Sequence, residues 1–198
     1  MAQDDFIIRE LQINGFAVAP GWLAPAEVLR GQEAFSADFH PAQVGKGANL
    51  QRDAGIRGDL TAWVTPQEHP ALAPIWQKVE QLRLRLNREL YLGLGEWEAH
   101  LAKYPPGAFY RRHLDRHGNG STRVLSMVLY LNAEWGLDDG GELVLYRDDV
   151  EAARVPPAGG TLVCFLSADF PHEVLPARRE RRSLTGWFHA GGSHVSVV

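Results

Sequence analysis

Cysteine is almost absent: Cys164 is the only one in 198 residues, so no internal disulfide can staple the chain. It sits in the apolar run TLVCFL with no metal-ligating or catalytic partner beside it, which assigns it to core packing. A surplus of either charge is also lacking. Twenty basic residues against 24 acidic ones leave a formal net charge of −4, which argues against a nucleic-acid partner held by general electrostatics. No apolar run reaches the length of a membrane span. The opening MAQDDFIIRE is acidic where a secretory leader would be basic, so the expectation is a cytoplasmic protein with neither signal peptide nor membrane partner. Repeats and low-complexity tracts are missing too. What remains is 45% hydrophobic and 22% charged residues, the make-up of an ordinary folded chain with enough length for a proper core. A single domain over residues 1–198 is the default.

Periodicity divides the chain into two styles. The first part is mainly helical. Asp4 to Gln12 places Phe6, Ile7, Ile8 and Leu11 among charges, Phe16 and Val18 alternate as a short strand, and Ala26 to Phe39 reads as a second helix behind Pro25. From His40 to Gly58 the pattern stops. A connection that long, mixing glycine and charge, is functional or mobile in most compact domains, and its Val44–Asp59 portion has the length to fold over a peptide. Asp59 to Val64 returns to strand character. Pro74 to Leu92 then repeats Ile75, Val79, Leu82, Leu86 and Leu90 at helical spacing, with Gly93 as its stop.

Beyond Gly95 the runs are short and strand-like: WEAHLAKY, AFYRRHLD, TRVLSMVLYLN, GELVLY, TLVCFL, HEVL and RRSLTGWF, separated by turn signals such as Pro105-Pro106-Gly107 and Asp138-Asp139-Gly140-Gly141. Helices first and strands afterwards predict an α+β fold. Helical support over residues 1–95 buttresses a double antiparallel sheet, a jelly-roll core over about 96–190, whose mouth suits a ligand.

The stretch Tyr104 to Asp115, YPPGAFYRRHLD, ends in a histidine and a carboxylate one residue apart. In an extended strand, residues i and i+2 share a face, so His113 and Asp115 can reach one point. His172 in the PHEV run is the best third ligand. Two histidines and a carboxylate on one side of an ion, with the other positions open, form the facial triad of non-haem iron(II) oxygenases. His117 competes but fails on reach: four residues along a strand span roughly 13 Å at about 3.3 Å per residue, against metal–ligand bonds of about 2 Å. It reads as a solvated loop residue. His40, His69, His100, His189 and His194 have no partner at ligand spacing and read as surface or structural residues. Further on, alternation in RRSLTGWF puts Arg181, Ser183, Thr185 and Trp187 on one face and Arg182, Leu184 and Phe188 on the other. A fixed guanidinium in a barrel mouth suits a small dicarboxylate. Arg178 and Arg179 fit a solvated basic cluster better.

His113-Leu114-Asp115, His172 and Arg181-Arg182-Ser183, in that order on strand-like segments, resemble the 2-oxoglutarate- and iron(II)-dependent dioxygenases, whose core is a double-stranded β-helix. Ile56-Arg57-Gly58-Asp59 followed by Trp63, Tyr104-Pro105, Arg123, Tyr130-Leu131-Asn132, Trp135, Gly140-Gly141 and Trp187 narrow the resemblance to the oxygen-sensing prolyl 4-hydroxylases, in a bacterial member. The resemblance implies that His113, Asp115 and His172 bind iron. It implies that Arg181 pairs with the distal carboxylate of 2-oxoglutarate, that Tyr130 donates a hydrogen bond to it, and that Tyr104, Ser183 and Trp187 line the cosubstrate pocket. Arg57, Asp59 and Trp63 would belong to a substrate-covering loop. The implied cofactors are Fe(II), the cosubstrate 2-oxoglutarate and O2, with L-ascorbate as an auxiliary. The implied partner is a protein carrying a target proline, elongation factor Tu first. Two other readings stand beside it: the same chemistry on a small molecule, which the long loop disfavours, and a non-catalytic jelly-roll metal-binding or sensor protein. Against the latter, a structural metal site would use a fourth protein ligand. The Pro105–Phe109 turn is tighter than the family's pattern, and the tail after His189 differs.

Overall fold

The computed structural model describes residues 3–43, 53–116 and 120–192. Helix α1 (Gln3–Asn14) buries Ile7, Ile8 and Leu11 and leads into strand β1 (Phe16–Ala19). Helix α2 (Pro25–Gln32) starts at the expected proline but stops earlier than the pattern suggested, tightening into a 3-10 turn over Glu33–Ser36. Ser36 Oγ donates to the Glu33 carbonyl, a local bond that competes with helix continuation. Phe35 and Phe39 then stack across the turn with centroids 5.7 Å apart. Within the expected irregular connection, His40–Pro41 forms the short strand β2, paired with β3 (Leu60–Trp63). Most of the Val44–Asp59 loop lies outside the described residues, as do His117 and His194.

Helix α3 (Ala73–Leu90) buries the stripe Ile75, Val79, Leu82 and Leu86. Its stop is not Gly93. Tyr91 turns left-handed at φ 54 and bonds its N–H to Asn87 O, while the Asn87 side chain holds both the N–H and the carbonyl of Leu94 at 2.7 and 2.8 Å.

The remaining strands are β4 (Leu94–Tyr104), β5 (Tyr110–His113), β6 (Arg123–Tyr130), β7 (Leu143–Arg147), β8 (Val150–Val155), β9 (Leu162–Leu166), β10 (His172–Val174) and β11 (Arg181–Ala190). Strand β8 had no signature in the sequence because it is a largely exposed, charged edge with one buried residue, Val155. The strands build two antiparallel sheets, ordered β1-β9-β6-β11-β4-β3-β2 and β5-β10-β7-β8. The α+β double-sheet architecture is therefore the one expected, with β1, β2 and β3 from the N-terminal part extending the larger sheet.

Strand alternation sorts the larger sheet into two cores. Leu125, Met127 and Leu129 of β6, with Leu184 and Phe188 of β11, face outward into a cluster with the three helices. Val128 and Tyr130 of β6 and Tyr104 of β4 face inward with Leu143, Leu145 and Phe170 on the smaller-sheet side. Cys164 is fully buried on the helix side and its thiol is pushed up to about 12 by burial, which keeps it inert. Among the described residues, no helix is long and apolar enough to cross a membrane.

Candidate active site

Strand β5 is shorter than the sequence suggested. It ends at His113, and Asp115 lies in the bend that follows, so strand alternation does not bring the pair together. Tertiary bonds do. Ser126, on the inner face of β6, donates its hydroxyl to Asp115 Oδ2 at 2.7 Å and shares a 2.9 Å bond with Ser167 Oγ. The next residue, Arg116, anchors its N–H on Ser167 O at 3.2 Å. His172 enters from β10, where it stands directly opposite His113 in the ladder.

The two imidazoles are oriented alike. His113 Nδ1 meets Arg111 O at 2.8 Å and His172 Nδ1 meets Phe170 O at 3.0 Å, so each Nδ1 carries the proton and each Nε2 lone pair is free. Both Nε2 atoms face the Asp115 carboxylate, at 3.7 Å to Oδ1 and 3.6 Å to Oδ2. One donor atom from each residue lies within 4.8 Å of the others. Burial pushes the His113 imidazolium down to about 3. Burial opposes ionisation of Asp115, but the two imidazoles and the Ser126 hydroxyl hold its carboxyl at about 2. At neutral pH His113 is a neutral imidazole and Asp115 a carboxylate, the protonation states a divalent ion requires. Two nitrogens and one oxygen on one side, with no fourth protein donor among the described residues, fit an ion that keeps positions open.

Arg181 lies deeper along the same face. It is 1% exposed, its side chain donates from Nε to Gly141 O at 3.0 Å and approaches the Tyr130 hydroxyl, and no carboxylate of the described residues pairs with it. Its guanidinium stands 5.0 Å from the ring centres of both Tyr104 and Tyr130. An unpaired buried cation is expensive, several kcal/mol by order of magnitude, unless an anion joins it. Tyr130 Oη is likewise buried without a hydrogen-bond partner of good geometry. Opposite Arg181 in the β4–β11 ladder is Tyr104, and opposite Ser183 are Ala102 and, on β6, Tyr130. The expected alternation on β11 holds: Arg182 turns away to bond Glu180 at 2.7 Å, and Leu184 and Phe188 join the helix-side core.

At the other end of the face, Trp63, 56% exposed, packs edge-on against His100 at 5.1 Å and lies 6.3 Å from Trp187. The Trp187 N–H approaches Asp115 without completing a hydrogen bond. Arg123 lies over the Trp187 ring at 3.5 Å, held by Glu98 at 2.8 Å. Arg57 and Asp59 form a two-pronged pair, Nε–Oδ1 2.8 Å and Nη2–Oδ2 2.6 Å. Of the histidines expected to be unligated, His40 is exposed near Asp38, His189 is buried and bonds Thr122 at 2.7 Å, and His100 is buried and driven to about 3 by burial. Sequence reasoning passed over Ser126 and Tyr110. Ser126 left a trace as the one small polar residue inside the apolar run VLSMVL; Tyr110 left none.

Comparison with known proteins agrees with this geometry. Residues 99–189 match the model of the 2OG-Fe(II) oxygenase superfamily, 2OG standing for 2-oxoglutarate. Egl nine homolog 1 of Homo sapiens is 31% identical over 141 residues, covering 67% of this chain but only 33% of that longer protein. A prolyl-4-hydroxylase from Pseudomonas putida superposes with a TM-score of 0.83 at 42% identity, covering 94% of this chain and 98% of the other. A Trichoplax adhaerens prolyl hydroxylase, solved with a peptide of the hypoxia-inducible factor oxygen degradation domain, gives the same TM-score at 29% identity over 94% and 89% of the two chains. By sequence and by fold, the chain belongs to the 2OG-Fe(II) oxygenase superfamily and is homologous to its prolyl hydroxylases.

Proposed function

We propose that the chain is one oxygenase domain that hydroxylates a prolyl residue of a protein, with Fe(II) held by His113, Asp115 and His172 and 2-oxoglutarate held by Arg181. The observation that carries this is the pairing of two incomplete sites on one inner face: a three-donor cluster and a buried guanidinium, the first with no fourth protein ligand and the second with no acid to neutralise it among the described residues. Iron(II) with O2 supplies the oxidising power: 2-oxoglutarate becomes succinate and CO2, one oxygen atom entering succinate and the other the substrate C–H bond.

The chain's own residues bind, orient and keep dry. The carbonyls of Arg111 and Phe170 fix the imidazole tautomers, and Ser126 holds the carboxylate. Arg181 receives the distal carboxylate of the cosubstrate, and Tyr130 Oη, which lacks a well-formed hydrogen bond among the described residues, donates to it. Tyr104 walls the pocket against water, and Ser183 lies between it and Trp187 on the same face. Trp63, Arg57 and Asp59 line the side from which a peptide enters.

A prolyl target is supported by homology to prolyl hydroxylases and by the peptide complex of the Trichoplax relative. Elongation factor Tu is the first candidate on the sequence resemblance, in a cytoplasmic setting with L-ascorbate as auxiliary reductant. Anaerobic addition of Fe(II) and 2-oxoglutarate should raise a visible charge-transfer band; metal-replete protein that shows no band contradicts the cosubstrate assignment.

A further inference from the structure

The His113 imidazole is covered by a stack that reaches back to the segment before β3. The Tyr110 ring lies on it nearly parallel, centroids 3.6 Å apart at an interplanar angle of 17°. The Arg57 guanidinium caps the far face of Tyr110 at 4.3 Å. Asp59, its carboxylate fully buried, grips Arg57 with two bonds. Burial works against charge on Arg57, but the Asp59 bonds outweigh it and hold the guanidinium protonated.

Simple alternation forbids this stack, since residues three apart on a strand face opposite ways. An irregularity allows it: His172 pairs with His113 but Val174 pairs with Tyr110, so β5 carries one residue more than β10 between the two pairs. Such a bulge re-aims a side chain. The Arg57 segment is tied to the same strand by Arg111 N–H to Ile56 O and Gly58 N–H to Phe109 O, both 2.9 Å, and by a bridge between Arg57 and Tyr110. His172 needs no such cover, being enclosed by Phe165 at 4.7 Å.

We propose that Tyr110 and Arg57 are positioning residues for His113: the stack Asp59–Arg57–Tyr110 fixes the plane of the imidazole so that its Nε2 points at the shared metal position, linking the segment around Arg57 to the metal centre. The inference rests on His113 being a metal ligand. The hydrogen bond to Arg111 O sets the tautomer and one in-plane direction but leaves the ring free to rock about it; the stack removes that freedom.

Mn(II) affinity, measured by electron paramagnetic resonance with 2-oxoglutarate and no peptide, isolates this role from substrate contact. Tyr110→Ala should weaken Mn(II) by about tenfold, in the range of residues that orient metal ligands. Tyr110→Phe, which keeps the stack and loses the hydroxyl, should bind within about twofold of the parent, and Arg57→Met should fall between. The anaerobic iron–2-oxoglutarate band should shift in Tyr110→Ala and not in Tyr110→Phe, whereas a role in folding alone lowers the melting temperature and leaves the band in place. If Tyr110→Ala does not fold, Arg57→Met carries the test. Parent affinity in Tyr110→Ala or Arg57→Met, or a loss in Tyr110→Phe as large as in Tyr110→Ala, overturns the proposal. A parent that binds no Mn(II) overturns the metal site itself.

Discussion

At the scale of the residue, Arg181 and Asp115 make opposite demands of their surroundings. Arg181 is buried between the Tyr104 and Tyr130 rings with its Nε on a carbonyl and no carboxylate beside it among the described residues, a setting that favours a bound anion. Arg181→Gln should raise the KM for 2-oxoglutarate by on the order of a hundredfold or more, since losing a desolvated charge pair costs about 2–5 kcal/mol. Asp115 is fully supported, and Ser126→Ala tests that support. Removing the hydroxyl donor should weaken metal binding by about tenfold and lower stability by about 1–3 kcal/mol, read by calorimetry. The grouping of His113, Asp115 and His172 and the inward burial of Arg181 were legible in the sequence from residue type and order. Ser126 and Tyr110 were not, because a serine in an apolar strand and a tyrosine three positions from a histidine acquire meaning only when a second strand arrives.

At the scale of the element, β11 carries the argument. Its alternation was readable because both faces are covered by different chemistry, polar within and apolar toward the helices, and a slip of one residue would exchange them. Arg182→Gln should therefore leave the KM for 2-oxoglutarate within about twofold of the parent, in contrast to Arg181→Gln. Gly186 in the same strand admits no side chain: a Cβ would lie 2.4 Å from Glu98 O and from Trp97 Nε1. Gly186→Ala should lower the melting temperature, with a stability loss of about 1–3 kcal/mol from overpacking. Where the sequence misled, local patterns stood in for tertiary bonds. The helix at Pro25 was drawn too long because Ser36 and the Phe35–Phe39 stack turn the chain, and Asp115 was placed on a strand that ends two residues earlier. Strand β8 escaped notice because an exposed edge needs no apolar alternation.

At the scale of the molecule, helices cover one face of the larger sheet so that the other can hold polar groups away from water. That burial has a pH signature. His113 and His100 are both pushed down to about 3, from an ordinary value of 6.5, so the unfolded chain binds their protons first on acidification. Stability of the metal-free protein should be level above about pH 6.5 and fall as the pH drops toward 3, by up to about 1.4 kcal/mol per pH unit for each histidine. His100→Phe should reduce that slope, as measured by urea unfolding across the range. The general architecture was visible in the order of helices and strands, while the pairing of β1, β2 and β3 with the larger sheet was not, since it depends on partners far along the chain. The central claim, that this site oxidises a proline in a protein, is tested most directly by intact-mass and peptide analysis of elongation factor Tu after turnover with Fe(II), 2-oxoglutarate and O2. The account predicts a gain of one oxygen atom on a prolyl residue, made by the parent and not by Arg181→Gln at the same cosubstrate concentration. Succinate release with no oxygen gained by the protein would contradict elongation factor Tu as the substrate, and the same result across a cell extract would contradict a protein substrate altogether.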